Sequence, residues 1–152
     1  MSQMSDVERI IAIEEIKVLK SRRDRAVDMK DWSTLEALHA PEHRSHVEGM
    51  EPWPSAAYML ANTRAGLDGI TSVHHSHTPD ITFESRDKAS GIWAMEDNLF
   101  WKQGNEDHWL NGFGFYYETY ERRNGQWVFT SRRLKRLHTK MSPGAVFPPK
   151  RA

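Results

Sequence analysis

Apolar side chains recur every three or four residues near the start of the chain, which is the spacing of one face of an α-helix. The repeat predicts an amphipathic helix over about residues 6–29, formed by Ile10, Ile13, Ile16, Leu19, Arg23, Ala26 and Val27. Arg23 is the charged member of this stripe. It either snorkels to the surface or reaches into a pocket, where it would hold an anion or a carbonyl oxygen.

Two further helices are predicted from residues that begin and end helices. Asp31 is a typical N-cap for a short helix over residues 32–40, and Pro41 closes that helix. Residues 43–48 fit a short strand, and Pro54 then opens a third helix. The first half of the chain is therefore mainly helical.

The second half is predicted to be strands. Asn124 and Gly125 form a typical two-residue hairpin turn between the last two. A bulge or break is expected near Pro79 in the first of them. The predicted strands cover residues 72–84, 89–102, 109–122 and 126–138. Helices followed by sequential strands indicate an α+β fold, with the helices packed on one face of a curved antiparallel sheet.

The strand over residues 91–101 has one apolar face that carries a single carboxylate. Because side chains alternate along a strand, this face is made of Trp93, Met95, Asp97, Leu99 and Trp101. An ionised carboxylate on a buried apolar face is costly unless it is paired or protonated. Either outcome perturbs the pKa of Asp97, which makes this residue a candidate for acid–base chemistry.

Composition narrows the function classes. The 152 residues fit one domain, over residues 1–139, with a Pro-rich tail over residues 140–152. The tail is either loose or anchored on a neighbouring subunit through Val146 and Phe147. A net charge of zero argues against nucleic-acid binding, and the lack of cysteine excludes disulfides and thiolate chemistry. With no signal-peptide pattern and no apolar run that could span a membrane, a cytoplasmic protein is expected.

Three histidines in the first strand are candidates for acid–base catalysis, because histidine titrates near neutral pH. Alternation counted back from Ile81 and Phe83 points His75 and His77 inward. A bulge near Pro79 would reverse this and point His74 inward. The sequence leaves both registers open, and each histidine taken alone also fits a half-exposed strand position.

A metal site is the weaker alternative for the same histidines. His75 and His77 share one face and could bind a metal with Asp97 as a third ligand. Such short spacings arise often by chance. The prediction is therefore that the protein uses neither a metal nor a cofactor.

Two charged residues elsewhere stand in unfavourable local contexts. Asp28 lies at the predicted C-terminal end of the first helix, where a negative charge costs roughly 0.3–1 kcal/mol. It is either an exposed acid near Lys30 or a residue with another role. Arg132 shares a predicted strand face with Val128 and Leu134 and would then face the core.

The strand over residues 109–122 adds aromatic and glycine positions. Tyr116 and Tyr117 lie on its two faces, and either hydroxyl could contact a substrate. Gly112 and Gly114 permit strong bending or the close approach of a ligand.

Several segments resemble the SnoaL-like family of the NTF2-like superfamily, over about residues 7–138. The opening helix, ending at Val27-Asp28 and followed by Asp31-Trp32, is similar to that family's first helix. The later strands match at residues 73–81, 91–97 and 117–127. The resemblance is greatest to bile acid 7α-dehydratases, and more distant to hexachlorocyclohexane dehydrochlorinases and scytalone dehydratases. It implies a cone of curved sheet closed by helices around a deep pocket, and an oligomer that is a dimer or a trimer.

The resemblance also assigns roles. The family's catalytic histidine falls on His74, its paired aspartate on Asp28, and the strand aspartate of the bile acid dehydratases on Asp97. Arg23 stands where those dehydratases have a tyrosine and the dehydrochlorinases a lysine, and it cannot act as a general acid because it keeps its proton. Arg132 falls on an arginine of the dehydrochlorinase pocket.

These observations predict a cofactor-independent lyase of dehydratase type, with a small-molecule substrate that is apolar and hydroxylated, polycyclic molecules being among the candidates. His74 would remove a proton, and either His74 or a protonated Asp97 would assist loss of water. Arg23 or a tyrosine would hold the developing oxyanion. Isomerase or cyclase chemistry and non-catalytic binding are the alternatives. The predicted substrate-binding residues are Arg132, Trp93, Met95, Tyr116, Tyr117 and His77.

Overall fold

Three helices come first in the computed structural model, which describes residues 4–149. They are α1 (Asp6–Asp28), α2 (Trp32–Ala37) and α3 (Ala56–Gly66). Ser5 begins α1 with a capping box, in which its hydroxyl accepts from the Glu8 backbone N–H and the Glu8 carboxylate accepts from the Ser5 backbone N–H. No helix within residues 4–149 is long and apolar enough to span a membrane.

The second helix is shorter than the sequence predicts. It ends at Ala37, and the chain is extended from His39 onward. The predicted end at residue 40 is wrong because Pro41 disfavours helical geometry for Ala40, the residue before it. The strand predicted over residues 43–48 begins four residues earlier, at His39, and ends at Val47.

Five strands form one open mixed sheet, in the order β1-β5-β4-β3-β2. They are β1 (His39–Val47), β2 (Thr71–Ser85), β3 (Lys88–Gln103), β4 (Glu106–Arg123) and β5 (Gln126–Met141). β1 pairs with β5 in parallel, and the other neighbours are antiparallel. The α+β class and the helices packed on a sheet are confirmed. The predicted hairpin turn is also present, with positive φ at Asn124 (51°) and Gly125 (77°).

The core lies between α1 and the inner face of the sheet. The predicted apolar face of β3 is buried as a whole, including Asp97. The largest buried cluster contains Ile16 and Leu19 from α1 and Trp93, Met95, Tyr116, Tyr120 and Phe129 from the sheet. Strand alternation therefore identified correctly which side chains of β3 point inward.

A bulge changes the register of β5 against β4. β5 pairs Ser131 with Thr119 but Phe129 with Tyr120, so Thr130 is an extra residue. Alternation is interrupted there, and Phe129 replaces Val128 on the face that carries Arg132. The predicted shared face of Val128 and Arg132 is therefore wrong, while the inward position of Arg132 is kept.

The chain after β5 packs against β3 and β4 of the same chain. The Val146 backbone N–H donates to Oε1 of Gln103 at 3.0 Å, and the ring of Phe147 lies 5.7 Å from that of Trp101. The Ser142 hydroxyl, which is buried, lies 2.9 Å from Nδ1 of His108. The part of the predicted tail that ends at residue 149 is therefore anchored, and residues 150–152 lie outside the described residues.

Candidate active site

His74 and Asp28 form a hydrogen-bonded pair where the end of α1 meets β2. Nδ1 of His74 lies 2.7 Å from Oδ1 of Asp28, and the backbone N–H of His74 donates to Oδ2 at 2.8 Å. The Ser72 hydroxyl donates to Oδ1 at 2.9 Å. The unfavourable position of Asp28 at a helix C-terminus is thus explained, because the helix places this carboxylate against β2 and three donors hold it there.

The protonation of the pair follows from these contacts. Burial opposes ionisation of Asp28, but the hydrogen bonds from His74 and Ser72 outweigh it and hold the pKa of Asp28 below 3.8. An ionised carboxylate can only accept hydrogen bonds, so we assign a proton to Nδ1 of His74. Nε2 then carries the lone pair and can act as a base.

The bulge in β2 decides which histidine faces the helix. The register shifts between Ser76 and Pro79, and His74 lies opposite Asp97 on the inner face. His75 is exposed on the other face, with Nδ1 2.7 Å from Oε1 of Glu96. The register obtained by simple alternation is therefore wrong, and the bulged register is the one observed.

His77 shares the outer face with His75, the two rings meeting edge to face at 6.4 Å between centroids. Asp97 points to the inner face, so His75, His77 and Asp97 do not converge on one point. Within residues 4–149, no group of three or more His, Cys, Asp or Glu side chains is arranged to hold a metal ion.

Asp97 is paired with an arginine that the sequence analysis missed. Both carboxylate oxygens accept from Arg136, Oδ1 from Nη1 at 2.9 Å and Oδ2 from Nη2 at 2.6 Å. Burial favours the neutral acid, but the pairing outweighs it and lowers the pKa of Asp97 below 3.8. The predicted role of Asp97 as a protonated acid is therefore contradicted. Arg136 could have been found by continuing the alternation of Arg132 and Leu134 by two residues.

Gly112 leaves room for this ion pair. It faces Asp97 across the β3–β4 ladder. A Cβ atom at position 112 would lie 1.7 Å from Nη1 of Arg136 and 2.1 Å from Oδ1 of Asp97. The close approach predicted for this glycine is thus the approach of a neighbouring ion pair.

Arg23 is buried between α1 and the sheet, and its guanidinium does not reach the surface. Its side chain is 2% exposed, and its Nε donates to Nε2 of His39 at 3.4 Å. One turn earlier, Lys20 is also buried and donates to Oε1 of Glu118 at 2.5 Å. Burial lowers the pKa of Lys20 to about 8, although Glu118 opposes this. Sequence reasoning missed Lys20 and Glu118, because both look like surface charges until helix and sheet are packed together.

The remaining predicted site residues divide between the two faces of the sheet. Tyr116 is buried on the inner face with Trp93 and Met95, and burial raises the pKa of Tyr116. Tyr117 points outward, where its ring stacks under the guanidinium of Arg133 at 4.3 Å. Tyr117 is therefore removed from the candidate site. Arg132 packs on the ring of Tyr116 at 3.8 Å, on the inner face as expected.

The His74–Asp28 pair borders a groove of about 770 Å³ between α1 and β2. Its walls include Lys20, Asp24, Ser76 and Trp93, and His75 and His77 also line it. This volume is in the range of small-molecule sites. A second groove, of about 500 Å³, lies between α1 and the start of β5, and Ile10, Ile11 and Val18 make it more apolar. Because it has no histidine and no perturbed acid–base pair, the first groove is the candidate active site.

The chain matches a protein family, and its fold is similar to that of several solved structures. A SnoaL-like domain model matches residues 8–133, which is most of the chain. The structure is also similar to that of a type 2 LinA hexachlorocyclohexane dehydrochlorinase, with a TM-score of 0.81 and 22% identity over 95% of this chain and 98% of that one.

Two further solved structures share the fold. The LinA-type3 hexachlorocyclohexane dehydrochlorinase from Novosphingobium barchaimii LL02 has a TM-score of 0.78 and 22% identity, over 96% of this chain and 100% of that one. A protein described as a putative scytalone dehydratase from Novosphingobium aromaticivorans DSM 12444 has a TM-score of 0.81 and 18% identity, over 97% and 99%. At these identities the similarity establishes a common fold.

Proposed function

Because the chain belongs to the SnoaL-like domain family, we propose that it is a cofactor-independent lyase that removes water from a small hydroxylated molecule. The observation that carries the proposal is the His74–Asp28 pair beside a groove large enough for a small molecule. Asp28 fixes the ring and the proton of Nδ1, and Nε2 of His74 is left as the base.

The proposed reaction is an elimination in which His74 handles the proton. Nε2 takes a proton from the carbon next to an activating carbonyl group, and that electron pair forms the new double bond as the carbon–oxygen bond breaks. The imidazolium then returns the proton to the departing hydroxide, which leaves as water. Ionised Asp28 stabilises the imidazolium between the two steps.

Asp97 takes a different role in this proposal from the one expected. With a lowered pKa and two hydrogen bonds from Arg136, it is an anion throughout. It lies opposite His74 on the neighbouring strand, where its charge can stabilise the positive charge that the ring gains when it takes the substrate proton. Asp97 is therefore proposed as a positioning and electrostatic residue, and His74 supplies the proton to the leaving group.

The names of the structural relatives support elimination chemistry. Two are called dehydrochlorinases and one a putative scytalone dehydratase, and both kinds of reaction remove a small group together with a proton. Isomerisation is the second candidate, because abstraction by Nε2 would be its first step as well. Non-catalytic binding is less well supported, because His74 and Asp97 each have other partners and His74 borders the groove.

The proposal is tested with a panel of hydroxylated carbonyl compounds incubated in D₂O and analysed by mass spectrometry. A lyase yields products that have lost one water molecule, whereas an isomerase yields products of unchanged composition that carry deuterium. The variant His74→Ala should lose activity by about 10²–10⁴-fold, the usual contribution of a general base. His46→Ala is the control, because His46 is an exposed histidine of β1 that does not line the groove.

Equal activity in the two variants would contradict the proposal, as would a loss in His46→Ala alone. A panel on which the parent protein neither removes water nor exchanges deuterium would favour a binding protein.

A further inference from the structure

Arg23 has hydrogen-bond donors for which residues 4–149 supply no acceptor. Its guanidinium is 98% buried, and its Nε is directed at His39. The nearest carboxylate oxygen, Oδ1 of Asp24, is 3.9 Å from Nη1, which is too far for a hydrogen bond. Among residues 4–149, neither Nη atom of Arg23 has a hydrogen-bond partner. Buried donors without acceptors are costly, so this arrangement calls for an explanation.

Arg132, in β5 of the sheet, also has a buried donor without an acceptor among residues 4–149. Its Nε is buried without a hydrogen-bond partner and lies 3.6 Å from Oε1 of Glu118. Its guanidinium carbon lies 3.8 Å from the centre of the Tyr116 ring. Within the described chain, the Tyr116 hydroxyl also makes no hydrogen bond, although Tyr116 is 1% exposed. Buried tyrosine hydroxyls normally have a partner.

The neighbouring carboxylates are Glu118 and Asp24, and three of their four oxygens accept hydrogen bonds from other groups. Glu118 accepts from Lys20 at 2.5 Å and from the Tyr120 hydroxyl at 2.7 Å. Asp24 accepts from the Ser76 hydroxyl through Oδ2 at 2.6 Å. The remaining oxygen of Asp24, Oδ1, is buried without a hydrogen-bond partner and lies 3.9 Å from Nη1 of Arg23, and Oε1 of Glu118 lies 3.6 Å from Nε of Arg132. Neither carboxylate is therefore within hydrogen-bond distance of these guanidinium nitrogens.

The two arginines also repel each other. Burial lowers the pKa of Arg23 to about 10, and the charge of Arg132 is the next contribution in the same direction. The histidines that flank Arg23 add no positive charge at neutral pH, because burial lowers the pKa values of His39 and His43. An anion entering from outside would satisfy the donors and relieve the repulsion together.

We propose that Arg23 and Arg132 bind a carboxylate group of the substrate, with the Tyr116 hydroxyl as a further donor. A carboxylate fits because its two coplanar oxygens match the planar fork of a guanidinium. Asp24, which lines the His74 groove, lies 3.9 Å from Arg23, so the proposed site adjoins that groove. The inference depends on the proposed function only in taking the bound carboxylate to be part of the substrate. It changes the expected substrate from a neutral apolar molecule to a hydroxylated carboxylic acid.

The test uses acetate as the probe and acetamide as its neutral counterpart of the same shape. The Nε–H resonances of Arg23 and Arg132 are followed by ¹⁵N-resolved NMR at constant ionic strength, with assignment from Arg23→Gln and Arg132→Gln. Acetate should shift both resonances saturably, and acetamide should bind about tenfold more weakly or not at all, which corresponds to about 1.4 kcal/mol.

Matched controls come from the adjacent residues. Arg22 and Arg133 point away from the site, so Arg22→Gln and Arg133→Gln should leave the acetate titration unchanged. Arg132→Gln should abolish the shift at Arg23. Because Arg132 is partly exposed, this variant provides the test even if Arg23→Gln does not fold.

Two results would overturn the proposal: the absence of a saturable acetate shift at either arginine, or an equal response to acetamide. The variant His74→Ala separates this inference from the proposed function. If His74→Ala is inactive and still binds acetate, both stand. If the parent binds acetate but shows no activity towards hydroxylated carboxylic acids, the anion site stands without the lyase.

Discussion

Single residues in this site are held by partners from distant parts of the chain. Asp97 in β3 depends on Arg136 in β5, and Gly112 in β4 leaves the space in which the two meet. A buried carboxylate that loses its hydrogen-bonded cation is strongly destabilising, because its charge stays in a poorly hydrated environment. The identity of residue 112 therefore matters more than its lack of a side chain suggests.

At this scale we expect Gly112→Ala to lower the free energy of unfolding by about 3 kcal/mol, because the new methyl group displaces Arg136 from Asp97. Urea unfolding followed by circular dichroism measures the change. The control is Gly66→Ala at the end of α3, where nothing lies within 4 Å of the added carbon. That variant should be neutral or more stable by up to about 1 kcal/mol. Equal stability of Gly112→Ala and the parent would show that the ion pair is readily displaced.

Among the elements, β1 contributes two buried histidines that are neutral in the folded protein. His43 is fully buried, with Nε2 2.9 Å from the Ser45 hydroxyl and Nδ1 3.3 Å from the Phe129 carbonyl oxygen. Burial lowers its pKa to about 4, and the pKa of His39 is also well below 6.5. The strand therefore makes folding sensitive to acid.

We expect the free energy of unfolding to fall as the pH drops from 6.5 to 4. In that window an unfolded chain takes up protons on these histidines and the folded chain does not, which costs up to about 1.4 kcal/mol per pH unit for each histidine. Asp28 and Asp97 have pKa values below 3.8, so their contribution is lost only at lower pH. Urea titrations at several pH values measure the slope.

The variant His43→Asn should reduce this slope by about half, since one of the two buried histidines is removed. His46→Asn is the control from the same strand, because His46 is exposed. A stability that does not change between pH 7 and pH 4 would mean that β1 opens to admit protons without unfolding the rest of the chain.

At the scale of the whole molecule, the helical layer is joined to the sheet by charge as well as by apolar packing. Lys20 of α1 donates to Glu118 of β4, and both side chains are about 1% exposed or less. The Glu118 carboxylate also accepts from the Tyr120 hydroxyl, which in turn accepts from Nε1 of Trp93. This network fixes the position of α1, and with it the position of Asp28 at the end of that helix.

We expect Lys20→Met to lower the free energy of unfolding by about 3–5 kcal/mol, because Glu118 is left buried without its lysine. The double variant Lys20→Met with Glu118→Gln should recover part of that loss, since Glu118 no longer carries an uncompensated charge and the amide oxygen still accepts from Tyr120. Lys17→Met on the exposed side of α1 should change stability by less than about 0.5 kcal/mol. Additive effects of the two core substitutions would show that Lys20 and Glu118 are not coupled.

Much of the fold could be read from local patterns. The 3.6-residue repeat located α1, the Asn124–Gly125 pair located the last hairpin, and alternation in β3 identified its buried face with Asp97. These features depend on neighbours a few residues apart, so the sequence contains them directly. The end of α2 was missed even though its cause, the effect of Pro41 on Ala40, is equally local.

The sequence by itself determined the α+β class, the position of α1 and the buried carboxylate of β3, because periodicity and turn chemistry act over short distances. The tertiary structure alone decided which histidine faces Asp28, which cation pairs with Asp97, and that within residues 4–149 the Nη atoms of Arg23 and the Nε atom of Arg132 have no hydrogen-bond acceptor. The physical reason is that a single extra residue in a strand reverses every later side chain, and that the partner of a buried charge comes from whichever element folds against it. Neither fact is visible until the elements are packed together.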